Sequence, residues 1–359
     1  MFEFLNTWLA NGGFWVAIPL IIIGCAALIK GADWLVDGAS ALAKKYGVSD
    51  IVIGLTVVAF GTSMPEFVVN MVAVGQGSTE IAITNVLGSN IINIFVILGF
   101  TALIYPISSQ KSTRRFDIPF SLLAALLVLF FAIYNSPSWL QIEHIFNMNI
   151  ADPTLSDLGS IQMGQGNGGF ISGVGGSILL IFFLLFLWHN FKGIGSVPQT
   201  ESNEEYKPMS ARRALALIIG GLIGLVVGGE VIVKSATSIA QSLGVSDAII
   251  GLTVVALGTS LPELATSCMA AFKKNCDIAL GNVIGSNLFN LFFILGTSAC
   301  VKALPGYHGL EIDALMAALG SVLVMLFVYL TKKHEIKRWH GAILLLTYAA
   351  YLAYRIITL

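Results

Sequence analysis

Two glutamates, Glu66 and Glu263, are the residues best placed to do chemistry, because each closes a long apolar run. An acidic side chain at membrane depth costs on the order of 2.5–3.5 kcal/mol even on the mildest insertion scale, so such a residue marks a functional site by default. Both close the same stretch: GLTVVAFGTSMPE from Gly54 to Glu66, and GLTVVALGTSLPE from Gly251 to Glu263. Thr62 lies four residues and Ser63 three residues before Glu66, so all three share one helical face. Pro65 lacks an N–H and its ring crowds the carbonyl of Gly61, so the helix is expected to break or kink there. Backbone carbonyls around Ala59 to Thr62 would then leave the helical ladder, which is tolerated at this depth where they line a cavity or are otherwise satisfied. Ala256, Gly258, Thr259, Ser260, Pro262 and Glu263 repeat the arrangement.

A second pair of stretches supplies further oxygen. Asn85, Ser89 and Asn93 recur at four-residue spacing and make a polar stripe on a helix, and Asn282, Ser286 and Asn290 repeat it. Asn90 and Asn287 stand one position off the stripe and are read as helix–helix hydrogen-bonding residues rather than ligands. Gly88 and Gly285 allow close helix approach. The donors are all hard oxygens, with no Cys or His pair among them, which argues against zinc or copper. Calcium takes about six to eight oxygens in flexible geometry. Two carboxylates are neutralised equally by one divalent or two monovalent cations. A site that is costly when empty favours exchange over slippage, because an uncompensated charge would have to cross the membrane.

The elements that hold these residues must be transmembrane helices. Of the 359 residues, 56% are hydrophobic and only 11% charged, and mean hydropathy is +0.85; a soluble chain carries about 25% charged residues. The apolar blocks are continuous and near 20 residues long, unlike the alternating strands of an outer-membrane barrel. Ten spans are expected: 14–43, 51–75, 80–104, 117–135, 171–190, 211–242, 248–272, 277–301, 311–330 and 340–358. The first and sixth are long enough to tilt or protrude. Fifteen of the 19 Lys and Arg residues follow odd-numbered spans. The positive-inside rule therefore puts those ends in the cytoplasm and both termini outside. The polar stretch 136–170, with Glu143, His144, Asp152 and Asp157 and no Lys or Arg, is expected to be an external loop in which His144 is an exposed loop residue. Residues 191–210 read as a cytoplasmic linker, too short for a domain of its own. Cys25, Cys268, Cys276 and Cys300 show no metal or disulfide spacing and are read as small apolar packing residues. The first residues lack a basic segment, so no cleaved signal peptide is expected.

Shifting the chain by 197 residues lays 47–99 on 244–296 without a gap, and 29 of the 53 positions are identical. Each half holds five spans. Five is odd, so the halves insert with opposite orientation, as in secondary transporters whose ion sites lie at the repeat interface. Packing alone would preserve apolar positions, yet Thr62/Thr259, Ser63/Ser260, Glu66/Glu263, Ser89/Ser286 and Asn93/Asn290 all match. A buried structural carboxylate would need a basic partner, for which Lys30 and Lys234 are the candidates. They align with Val227 and Asp37, whereas the glutamates align with each other. Asp33 aligns with Glu230; the two could mark an ion access path or simply pair with Lys30 and Lys234.

GLTVVAFGTSMPE…GSNIIN and its second copy, GLTVVALGTSLPE…GSNLFN, resemble the two alpha-repeats of the calcium/cation antiporter superfamily, and most closely its prokaryotic sodium/calcium exchanger branch. The resemblance spans all ten helices and is most specific over 47–99 and 244–296. It implies that Glu66 and Glu263 bind Ca²⁺ and Na⁺ alternately, and that Thr62 and Thr259, with the carbonyls of Ala59 and Ala256, complete the shell. By the same resemblance, Ser63, Ser260, Ser89 and Ser286 line outer Na⁺ positions, Asn93 and Asn290 sit near the centre, and spans 1 and 6 slide as a gating pair. Some relatives carry Asp at the position of Asn290, so Asn here weakens any case for K⁺ co-transport. The large calcium-sensing cytoplasmic domain of animal exchangers has no counterpart. The GTSxPE form favours Na⁺ over H⁺.

The expectation is an all-α polytopic membrane protein of two inverted five-helix repeats with spans 2 and 7 broken. The first repeat takes 1–135 and 171–190, and the second takes 211–359. It would be a multi-pass protein of the cell membrane exchanging Na⁺ for Ca²⁺. A H⁺/Ca²⁺ antiporter and a cation channel are the alternatives, the channel disfavoured by the inverted repeat. No nucleophile–base pair or nucleotide loop suggests an enzyme. No cofactor and no nucleic-acid partner are expected beyond the ions and the bilayer, and the sequence sets no oligomeric state.

Overall fold

The computed structural model describes residues 3–134, 170–192, 209–243, 256–307 and 309–358. The expected external loop and linker fall almost wholly outside the described residues, as do Glu143, His144, Asp152, Asp157 and the first part of expected span 7. Helices occupy the ten expected positions, the seventh from Ala256 onward. They are α1 (Glu3–Tyr46), α2 (Asp50–Thr62) with α3 (Met64–Gly75), α4 (Thr79–Ile104), a short α5 (Lys111–Arg115) leading into α6 (Asp117–Tyr134), and α7 (Gly173–Lys192). The second half has α8 (Ala211–Ser242), α9 (Ala256–Thr259) with α10 (Leu261–Phe272), α11 (Cys276–Val301), α12 (Leu310–Leu330) and α13 (Arg338–Thr358). The first helix begins at Glu3, well before the expected residue 14, and runs on through Asn11, Gly12 and Gly13; Phe4, Leu5, Trp8 and Leu9 make the added turns largely apolar in composition.

Among the described residues, four two-residue strands join the halves. β1 (Ile107–Ser108), just after α4, pairs antiparallel with β4 (Glu335–Ile336), just before α13. β2 (Phe170–Ile171), just before α7, pairs with β3 (Leu304–Pro305), just after α11. Each sheet therefore ties the third span of one repeat to the fifth span of the other, and the two sheets lie at opposite ends of the bundle. That exchange is what the inverted repeat demands of the backbone.

Burial ranks the helices. In α11, 94% of the most apolar stretch is buried, and in α4, 78%; in α1 and α13 only 17% is. The two stripe-bearing helices thus form the centre, and the outer helices turn apolar faces outward, as a bilayer solvent allows. The same allowance explains the cysteines. All four are free, but Cys25 and Cys300 are exposed rather than packed in the core. An apolar sulfur at the outer surface of a spanning helix loses nothing by facing lipid.

α1 and α8 cross antiparallel at backbone contact. Gly24, Gly31 and Gly38 recur every seven residues on α1 and face Gly228, Gly221 and Ala214, spaced alike on α8. A Cβ on Gly31 would stand 2.8 Å from the Gly221 carbonyl oxygen, and one on Gly221 would stand 2.7 Å from that of Gly31. Small residues at helix crossings drive this kind of close association in membranes. The partner at each contact is rigid backbone, so Gly31→Ala should destabilise the protein by about 1–3 kcal/mol through overpacking. Gly220→Ala, whose new Cβ would meet only the Trp34 ring at 3.6 Å, should be close to neutral. Thermal melting of both variants in detergent checks the contrast.

Candidate ion site

The two broken helices position the glutamates. Ser63 ends α2 with φ −85° and ψ 5°, and the axes of α2 and α3 diverge by 46°. Pro65 falls in the first turn of α3, where its missing N–H is no loss, and Glu66 follows it. In the second repeat, Ser260 breaks the chain at φ −89° and ψ 5°, with Pro262 and Glu263 in the first turn of α10. Each carboxylate therefore sits at the positive end of a half-helix dipole, which favours its charge. The expected break is present, but it falls at Ser63. The Ala59 carbonyl is not released. It accepts the Ser63 N–H at 3.0 Å and the Thr62 hydroxyl at 3.3 Å, because regular helix continues through Thr62. The bond that Pro65 removes is the one to Gly61. Ala256 opens α9.

Glu66 is 0% and Glu263 1% exposed, and they lie close enough to repel each other. The hydrogen bonds cross between repeats. Ser63 Oγ donates to Glu263 Oε1 at 2.8 Å, and Ser260 Oγ donates to Glu66 Oε1 at 3.4 Å. Ser286 Oγ also donates to Glu263 Oε1, at 3.4 Å. Thr62 Oγ1 reaches Asn282 Oδ1 at 3.1 Å. Ser89 is buried on α4, with no hydrogen bond to either glutamate. Among the described residues, Oε2 of Glu66, Oε2 of Glu263, Oγ1 of Thr259, Oδ1 of Asn93 and both amide atoms of Asn290 are buried without a hydrogen-bond partner. Leaving such an atom unsatisfied costs about 1–3 kcal/mol, more for a charged group. Of the ten such atoms among the described residues, these six fall on residues that the sequence assigns to one site and the other four on Asn90, Thr113, Ser235 and Thr266. Of the six, all but the Asn290 amino group can act as oxygen donors to a cation.

No Lys, Arg or His pairs with either glutamate among the described residues. Lys234 faces Glu230 at 3.5 Å, and Lys30 faces Asp33 at 2.6 Å. Lys273 bridges Asp33 and Asp37, at 2.6 Å each, tying α1 to the turn after α10. These pairs are partly exposed and worth at most about 1 kcal/mol apiece.

The structure adds two features that the sequence did not signal. Asn93 and Asn290 lie in π-helical turns, Asn93–Leu98 within α4 and Phe289–Ile294 within α11. Such wide turns recur at functional positions in helices. Asn70 and Ser267, each four residues after a glutamate, support the stripes: Asn85 Nδ2 donates to Asn70 Oδ1 at 2.7 Å, and Asn282 Nδ2 donates to Ser267 Oγ at 2.9 Å. Their spacing from the glutamates was the available signal. Of the two off-stripe amides, Asn287 accepts a cross-repeat bond from Asn93 at 3.0 Å. Asn90 instead donates to Val86 in its own helix. Its expected interhelical bond is not made because the i−4 carbonyl is nearer to hand.

Residues 16–192 and 213–357 match the family described as sodium/calcium exchanger protein. The chain belongs to the sodium/calcium exchanger family. The sodium/calcium exchanger MaX1 of Methanosarcina acetivorans is 32% identical over 351 residues, spanning 93% of this exchanger and 96% of that protein. The inner membrane protein YrbG of Escherichia coli is 32% identical over 302 residues, spanning 84% and 82%. The structure of the sodium-calcium exchanger NCX_Mj soaked with Na⁺ and Sr²⁺ is similar at a TM-score of 0.73 and 32% identity, covering 94% of this exchanger and 97% of that chain.

The two threonines of this exchanger differ in their bonding. Thr62→Val would orphan Asn282 Oδ1 and should lower stability by about 1–3 kcal/mol, whereas Thr259→Val removes a hydroxyl that has no partner among the described residues and should cost little. Thermal melts in buffer free of Ca²⁺ and Na⁺ distinguish the two.

Proposed function

We propose that this exchanger carries Ca²⁺ one way and Na⁺ the other across the cell membrane by alternating access, with Glu66 and Glu263 as the charged ligands. The observation that carries the reading is that both glutamates are fully buried, lack a basic partner among the described residues, and keep one oxygen unbonded. Their joint charge is matched by one Ca²⁺ or by two Na⁺, so the two loads compete for one electrostatic need. Thr62, Thr259 and the Ala256 carbonyl complete the Ca²⁺ shell. The Ala59 carbonyl, which in this structure accepts the Ser63 N–H and the Thr62 hydroxyl, joins it with the lone pair freed when the Thr62 hydrogen turns to Asn282. Ser63, Ser260, Ser89 and Ser286 serve Na⁺ on the two sides, and Asn93 and Asn290 stand at the centre.

A hard, all-oxygen set with flexible backbone is suited to Ca²⁺. The cation is cargo, and no resident cofactor and no enzymatic step enter the cycle. The halves that alternate are spans 1–5, less the external loop 136–170, and spans 6–10, joined by the linker 191–210. The distribution of Lys and Arg supports cytoplasmic ends for the odd-numbered spans and external termini.

Reconstituted vesicles loaded with Na⁺ should take up Ca²⁺ when diluted into Na⁺-free medium, with the voltage clamped by ionophores. Uptake that follows a pH gradient and ignores Na⁺ would replace Na⁺ with H⁺, and uptake needing no counter-ion would indicate a channel. Glu66→Gln and Glu263→Gln should each abolish exchange, because each removes half of the ligand charge. Near-normal transport by either variant would return that glutamate to a structural role.

A further inference from the structure

A hydroxyl binds a cation through its oxygen lone pairs, and its hydrogen must then point elsewhere. Thr62 has one hydrogen, and its well-formed hydrogen bonds are to the Ala59 carbonyl at 3.3 Å and to Asn282 Oδ1 at 3.1 Å, with the Glu263 carboxylate as a third acceptor close by. The orientation of the Asn282 amide is fixed by its surroundings. Its nitrogen donates to the Glu263 backbone carbonyl at 3.2 Å and to Ser267 Oγ at 2.9 Å. A carbonyl can only accept, so that side of the amide must be NH₂ and the other side must be the oxygen facing Thr62. Asn282 is fully buried. It therefore offers a rigid acceptor to the Thr62 hydrogen and ties the break of one repeat to the main chain of the other.

We infer that Asn282 is a positioning residue that captures the Thr62 hydrogen and so turns the Thr62 oxygen toward the transported ion. This rests on the reading above that Thr62 is a ligand. The repeat counterpart, Asn85, is oriented alike by its bond to Asn70, but the Thr259 hydroxyl has no partner among the described residues. Only the Thr62 arm of the pair is made in this structure. Ion–dipole energy grows in proportion to ionic charge, so a misdirected hydroxyl penalises Ca²⁺ about twice as much as Na⁺ in free energy. Asn282 thereby contributes to divalent selectivity without touching the ion.

The test is a double-mutant cycle on the full-length exchanger in vesicles. Asn282→Leu should raise the KM for Ca²⁺ about tenfold and the half-saturating Na⁺ concentration about threefold, with the maximal rate much less affected. In a Thr62→Val background, Asn282→Leu should add little, because the hydroxyl through which it acts is gone. In a Thr62→Ser background, it should retain its full effect. Independent, multiplying effects in the Val background, or equal losses for Ca²⁺ and Na⁺, would overturn the inference. Should Asn282→Leu fail to fold, Asn282→Ser, which is too short to reach Thr62, is read in the same cycle. If the wild-type protein shows no Na⁺-driven Ca²⁺ uptake, the functional reading fails first. If the wild type exchanges and the cycle is additive, only the role of Asn282 fails.

Discussion

Two carboxylates buried side by side in an apolar protein, without a basic residue among the described ones to neutralise them, are the constraint on which this molecule is built. Each brings the desolvation cost of a charge in a low dielectric, and each makes the other costlier by repulsion. The half-helix ends behind Glu66 and Glu263 and the crossed serine donors offset part of that cost. The remainder calls for cations. The broken helices, the serines at the breaks and the central position of the two stripe-bearing helices are all consequences of holding two such groups together and keeping them dry.

The sequence showed most of this because the physics leaves marks at fixed spacing. The ten helices were legible from continuous apolar runs, and the inverted arrangement from an odd number of spans in a matched pair of halves. The break was legible from Gly61 and Pro65 and their counterparts. What the sequence did not show depends on hydrogen bonds competing over tenths of an ångström. It could not tell that the break would fall at Ser63 and leave the Ala59 carbonyl bonded rather than released. Nor could it foresee the wide turns at Asn93 and Asn290, since no residue type demands one. Asn90 and Asn287 occupy the same position in their repeats yet bond differently, one within its helix and one across the repeat interface. Sequence identity between halves cannot disclose such a difference.

That difference belongs to a wider asymmetry. Thr62 is bonded and Thr259 is not; Asn93 donates across the interface while both amide atoms of Asn290 are idle; Glu263 accepts from two serines and Glu66 from one. Two halves with matching residues at these positions thus hold different local geometries at once. An alternating mechanism needs this property, because interchanging the two geometries exposes the same ligands to the other side of the membrane with no new contact types.

The glycine contact between α1 and α8 sets what can come apart. Between the Gly31–Gly221 and Gly24–Gly228 contacts, Gly224 packs against Ala27 and Gly31, so small residues line the crossing turn after turn. This seam brings the two longest of the described helices together backbone to backbone. Although the helices belong to opposite halves and run in opposite senses, they share one continuous seam of backbone contact, so separating them would give up all of its close approaches at once.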